Sequence, residues 1–117
     1  MISVPTNPTT FKLNSAATVN SNLISAVPVT LMSVAVSNQS GAAKFVKIYD
    51  KATAPTVGTD TPIMTVSIPA TTATSVQLGA LGARTALGLG VGITNLISDS
   101  DTTVVAANDV KVLISYL

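Results

Sequence analysis

The sequence predicts an all-β fold, a single antiparallel β-sandwich or jelly-roll-like barrel with an extended N-terminal arm. Three observations carry this. Short alternating stretches rich in Val, Thr and Ile recur at near-regular intervals, separated by Gly, Pro, Asn and Ser. No window has the apolar spacing of a long amphipathic helix. Glutamate, a strong helix former that strands disfavour, is absent, and all five acidic residues are aspartate. With 117 residues the chain fits one domain, divided here into an arm at 1–26 and a sandwich at 27–117.

Residues 1–26 read MISVPTNPTTFKLNSAATVNSNLISA, with Pro5 and Pro8 near the start and Lys12 as the sole charge. Neither period is evident, so an extended segment is expected, with a short strand near Thr10–Leu13. Such a segment is either a frayed terminus or an arm lying across a neighbouring subunit through Pro5, Pro8 and Phe11. From Val27 alternation begins. Val29 and Leu31 share one parity and Val34 and Val36 the other, a slip at Met32-Ser33 that predicts a β-bulge. Asn38-Gln39-Ser40-Gly41 reads as a turn. KFVKIY carries apolar residues on both faces, and a long loop fills 51–62. Met64, Val66 and Ile68 form the apolar side of a strand that Pro69 ends, because proline cannot donate to a ladder. Strands are further expected at Thr74–Leu78 and at the closing VKVLISYL, with a turn at 79–84 and a loop at 98–109. The count is about seven strands.

ALGLGVGIT, residues 86–94, places Gly88, Gly90 and Gly92 on one side of a strand and Leu87, Leu89, Val91 and Ile93 on the other. A phosphate loop is excluded by spacing. A dinucleotide fingerprint needs G-x-G-x-x-G between strand and helix, and a Walker loop needs Gly-Lys-Ser/Thr. The bare face either packs internally, for instance under Phe45 or Tyr49, or meets a neighbouring subunit.

Charged residues make up 9% of the chain, against roughly 25% in an ordinary soluble domain. A surface so poor in charge is weakly protected against association, and its reading is either coverage by partners or solubility through hydroxyls. The net charge of +1 gives no field for nucleic acid or anionic membrane, so neither is expected as a partner. No apolar run reaches the roughly 20 residues that span a bilayer, and no secretory leader is evident. Histidine and cysteine are absent, which removes Ser-His-Asp and Cys-His catalysis and the commonest metal ligands. No cofactor and no enzymatic activity are expected. Asp99 and Asp101, with Asn95 nearby, offer oxygen ligands for Ca²⁺, although a solvated turn accounts for the same residues. Lys44, Lys47 and Lys51 are expected at solvated strand ends.

KFVKIYDKATAPTVGTDTPIMTVSIPA, residues 44–70, resembles a pattern of small virion-associated proteins of tailed bacteriophages. There a strand of type Y/F-V-K-x-Y precedes K-A-x-A-P-x-V-G-T-D-T-P and an alternating strand. DSDTTVVAANDVKVLISYL at 99–117 is similar to their closing D-x-D-T-x-x-A-x-x-D-V-x-V-x-x-x-Y, and GLGVGIT stands where they carry a small-residue strand. The resemblance spans about residues 44–117. It implies a structural role, as a capsid decoration or cement protein that trimerises on the capsid surface and binds the major capsid protein. Adaptors at neck, tail or fibre, and host-surface binding modules, are the other classes; the absence of Trp disfavours the last.

Overall fold

Residues rich in Val, Thr and Ile pair into nine strands, and the computed structural model describes residues 7–117. They are β1 (Thr9–Asn14), β2 (Asn22–Ser25), β3 (Thr30–Asn38), β4 (Lys44–Tyr49), β5 (Met64–Ile68), β6 (Ala73–Gln77), β7 (Ala83–Arg84), β8 (Leu89–Thr94) and β9 (Val110–Tyr116). There is no helix among the described residues. One sheet runs β1-β9-β3-β6, with β7 also on β3; the other runs β2-β8-β4-β5. All pairings are antiparallel.

The ladders nest like one long hairpin. β4 pairs with β5 at its tip, then β3 with β6, β2 with β8 and β1 with β9. Rolling that hairpin brings β9 against β3 and β8 against β4, which closes the two sheets. This is the jelly roll, an arrangement that leaves few exposed edges. It also sorts the loops. Residues 15–21, 39–43, 69–72 and 95–109 gather at one end, and 26–29, 50–63 and 78–88 at the other.

The core lies between the sheets. Val34, Val36, Val112 and Ile114 face Val46, Ile48, Val91 and Ile93, all buried. The expected bulge is present: between Leu31 and Ser33 the β3–β9 register shifts, so Leu31 opposes Tyr116 while Ser33 opposes Ser115. That extra residue is what lets Leu31 and Val34, of opposite parity, both face the core. Val66 and Ile68 also lie inward, and β5 ends before Pro69 as expected.

The N-terminal segment departs from expectation. Residues 9–25 are not an arm outside the sandwich. β1 forms a complete edge ladder with β9, from Thr9↔Tyr116 to Asn14↔Lys111, and β2 is an edge of the second sheet. Phe11 and Leu13 pack on the core from β1, as does Ile24 from β2. Both strands are short and lie at edges, so only one side of each is apolar and the periodic signal is faint. Pro8 is exposed just ahead of β1, and Pro5 lies outside the described residues.

Candidate functional site

Two outer faces are available for contacts, and they differ sharply. On the β2-β8-β4-β5 sheet, the outward positions of β4 are Phe45, Lys47 and Tyr49, opposite Thr94, Gly92 and Gly90 of β8. This face is roofed by the protein's own loops. A Cβ on Gly90 would lie 2.7 Å from Cγ of Pro55, and one on Gly92 2.5 Å from a methyl of Val57 and 3.4 Å from the Tyr49 ring. One on Gly88 would strike the Lys51 and Ser25 carbonyls. The glycines therefore form a trough that receives Pro55 and Val57, both buried. The packing is internal, and it replaces the subunit contact assigned to Gly88, Gly90 and Gly92: the space a neighbour would enter is taken by residues 51–57. Leu87, expected in the core, is instead 57% exposed, because β8 starts only at Leu89. Residues 86–88 form a loop whose N–H groups donate to the Asp50 carboxylate at 2.8, 2.8 and 3.2 Å.

Polar side chains fasten this roof. Lys51 Nζ donates to Asp60 Oδ2 at 2.5 Å, and the Thr56 N–H donates to the same oxygen at 2.7 Å. Ser21 Oγ donates to the Pro55 carbonyl. Gly58, at φ +92°, sits against Thr102 in a conformation that side-chain-bearing residues rarely adopt. The Ala86, Leu87 and Gly88 N–H groups hold the Asp50 carboxyl below its usual range, and the Lys51 ammonium does the same for Asp60.

Two of the three lysines, Lys44 and Lys47, do not sit at solvated ends, whereas Lys51 lies just past β4 with its side chain about one-third exposed. Lys47 is fully buried, with Nζ donating to the Ser98 carbonyl at 2.6 Å. Burial lowers its pKa against the opposing pull of the Asp101 and Asp99 carboxylates. It points outward from the sheet, as parity requires, but into the roof rather than into water. Tyr49 beside it is buried as well, and its hydroxyl has no hydrogen-bond partner. Burial, followed by Asp60 and Asp99, pushes its pKa up to about 12. Two aromatics flanking a lysine on one face were the sequence signal that this side is covered. Lys44 is also nine-tenths buried, with Nζ on Asn95 Oδ1 at 2.5 Å and 3.9 Å from Asp109 Oδ2. No sequence signal joins these three, which topology alone brings together.

Asp101 has its Oδ2 bonded by the Leu96 N–H at 3.1 Å and the Thr103 hydroxyl at 2.5 Å, the geometry of a turn. Among the described residues no three acidic side chains come together as a metal site would require.

The outer face of the other sheet is open. Its cross-strand rows are Lys12–Leu113–Ala35–Ser75 and Asn14–Lys111–Ser37–Ala73. They line a shallow groove of about 660 Å³. Small side chains dominate its floor, Leu113 stands in the middle at 38% exposure, and charge enters only through Lys12 and Lys111 on one side. Phe11, proposed from sequence as an arm contact, turns its side chain to the core beneath this face.

No family model matches the chain, and a search of curated proteins found no match. Among solved structures it is similar to the coat protein of Tobacco streak virus, with 10% identity and a TM-score of 0.39, over 99% of this chain and 90% of that one.

Proposed function

We propose that this chain is a structural protein of a virus particle, a decoration or cement protein that sits on the capsid surface and binds the lattice of the major capsid protein. It acts there as a homotrimer. The carrying observation is the contrast between the two sheets. One outer face is covered over Lys47, Tyr49, Gly90 and Gly92 by the chain's own loops, while the other offers a smooth, nearly uncharged groove built from Ala35, Ser37, Ala73, Ser75 and Leu113. Docking there desolvates few charges, so the usual penalty for burying them is small. A protein that binds only the assembled lattice stabilises it by mass action. The resemblance of residues 44–70 and 99–117 to small tailed-phage virion proteins supports the same reading.

The test is the number of copies per purified particle, by quantitative mass spectrometry against the shell protein. A copy number comparable to that of the shell protein supports the decoration role. A handful of copies per particle overturns it in favour of an adaptor at the neck, tail or fibre.

A further inference from the structure

Lys44, Asn95 and Asp109 meet at the loop-rich end of the sandwich where 15–21, 39–43, 69–72 and 95–109 gather. The β4–β8 register pairs Phe45 with Thr94, which places Lys44 across from Asn95, the first residue beyond β8. The Lys44 side chain is 11% exposed. Its Nζ donates to Asn95 Oδ1 at 2.5 Å. The carboxamide is held in that orientation, since Asn95 Nδ2 donates to the Val104 carbonyl at 2.6 Å. Asp109, one residue ahead of β9 in the other sheet, brings its Oδ2 to 3.9 Å from the same Nζ.

An amine, a fixed carboxamide and a carboxylate on one partly buried spot are the parts of an amide-exchange reaction. We propose that the protein joins Lys44 to Asn95 by an intramolecular isopeptide bond, with Asp109 as the proton carrier. Asp109 takes a proton from the ammonium, leaving the neutral amine. The Nζ lone pair attacks Cγ of Asn95, and a tetrahedral intermediate forms. Asp109 then delivers its proton to Nδ2 and accepts the second proton of the attacking nitrogen. The Cγ–Nδ2 bond breaks and ammonia leaves, taking the second proton from Asp109, so that it departs as ammonium with two protons that began on Nζ and the Asp109 carboxylate is regenerated. One amide replaces another, so no oxidant or reductant is needed. Holding the amine against the carboxamide, with the carboxylate 3.9 Å away, replaces a slow encounter with an intramolecular step.

The bond ties the two central strands of the roofed sheet and closes the loop that contains the 50–63 hairpin tip. In a chain without cysteine it constrains the unfolded state as a disulfide would.

The experiment is the intact mass of the purified full-length protein, followed by tandem mass spectrometry of a digest. The expected mass falls short of the encoded one by a single ammonia, with a branched peptide joining the segments around Lys44 and Asn95. Lys44→Arg, Asn95→Ala and Asp109→Asn each restore the encoded mass. A wild-type protein at full encoded mass after prolonged incubation at neutral pH overturns the proposal, whether or not the variants fold. So does a deficit that persists in Lys44→Arg, which would mark ring closure at an asparagine. A branched peptide in Asp109→Asn overturns the role of Asp109.

Discussion

Gly90→Ala tests whether the glycine trough is filled from within. A Cβ at this position lies 2.7 Å from Cγ and 2.8 Å from Cδ of Pro55. Carbon atoms rest at ~3.5–4.0 Å, so the proline ring must retreat by roughly 1 Å. It cannot do so freely, because its carbonyl accepts from Ser21 Oγ and the next N–H is bonded to Asp60. Overpacking of this kind costs about 1–3 kcal/mol. The loss of unfolded-state freedom from Gly to Ala returns about 0.4–1 kcal/mol, since Gly90 does not have a positive φ. The net expectation is a destabilisation of about 1–2 kcal/mol, or a Tm roughly 4–8 °C lower. Gly41→Ala is the matched control: nothing lies within 4 Å of its Cβ, so stability should stay within about 0.5 kcal/mol of wild type. Urea unfolding followed by far-UV circular dichroism, at two dilute protein concentrations, measures both. A Gly90→Ala protein as stable as wild type in dilute solution, with a defect only in assembly, would refute the internal roof and restore the subunit contact.

Four further outcomes are expected. Tyr49→Phe should leave neutral-pH stability unchanged or raise it by up to about 1 kcal/mol, because it deletes a buried hydroxyl without a partner. The Tyr49 pKa is raised from 10.0 to about 12 on folding, so wild type should lose stability relative to Tyr49→Phe as pH climbs from 10 towards 12; parallel alkaline unfolding curves would contradict this. At the acid end Asp50, Asp60 and Asp101 have lowered folded pKa values, so their stabilisation is complete above the unfolded value of 3.8 and drains away below it; acid titration of Tm with no fall under pH 3.8 would rule this out. Deleting residues 1–14 should prevent stable folding, because it strips the β9 edge and removes Phe11 and Leu13 from the core; a soluble, cooperatively melting truncate would return the segment to an arm. Ala35→Arg, at the centre of the open face, should keep stability within about 0.5 kcal/mol of wild type while abolishing particle binding; retained binding would clear this face of any role.

The parts of the fold legible in the sequence are those where one strand face is core and the other is not. Met64, Val66 and Ile68 alternate because β5 is half-covered, and the Met32-Ser33 slip is visible because both flanking parities are apolar. Signals failed where tertiary contact overrides local pattern. β2 has four residues and a register shift of its own, so no period can develop. Lys47 reads as solvated because parity reports direction, whereas burial depends on a roof supplied by residues 51–57 and 98–102. Leu87 reads as core because alternation cannot reveal that Asp50 anchors the preceding N–H groups and delays the strand. The Lys44–Asn95–Asp109 cluster draws on three elements whose adjacency exists only once the hairpin is rolled.

The same rolling explains how a chain with so few charges spends them. Lys44, Lys47, Lys51, Asp50, Asp60 and Asp101 are all bonded within the roofed sheet or its loops, where they fasten long connections that lack secondary structure. Each such bond anchors a segment whose backbone would otherwise carry unsatisfied groups or fray. Charge used this way is partnered within the chain, which leaves Ser, Thr and Ala, with Lys12 and Lys111 at one side, on the open sheet to meet solvent. Hydroxyls keep such a face wet but repel a neighbour weakly, since they carry no net field. A protein organised in this manner stabilises its own loops with the groups that would ordinarily keep it apart from others. The rolled hairpin thus ties many of its charges into loop contacts, and the open face, charged only at Lys12 and Lys111 along one side, is left for contact.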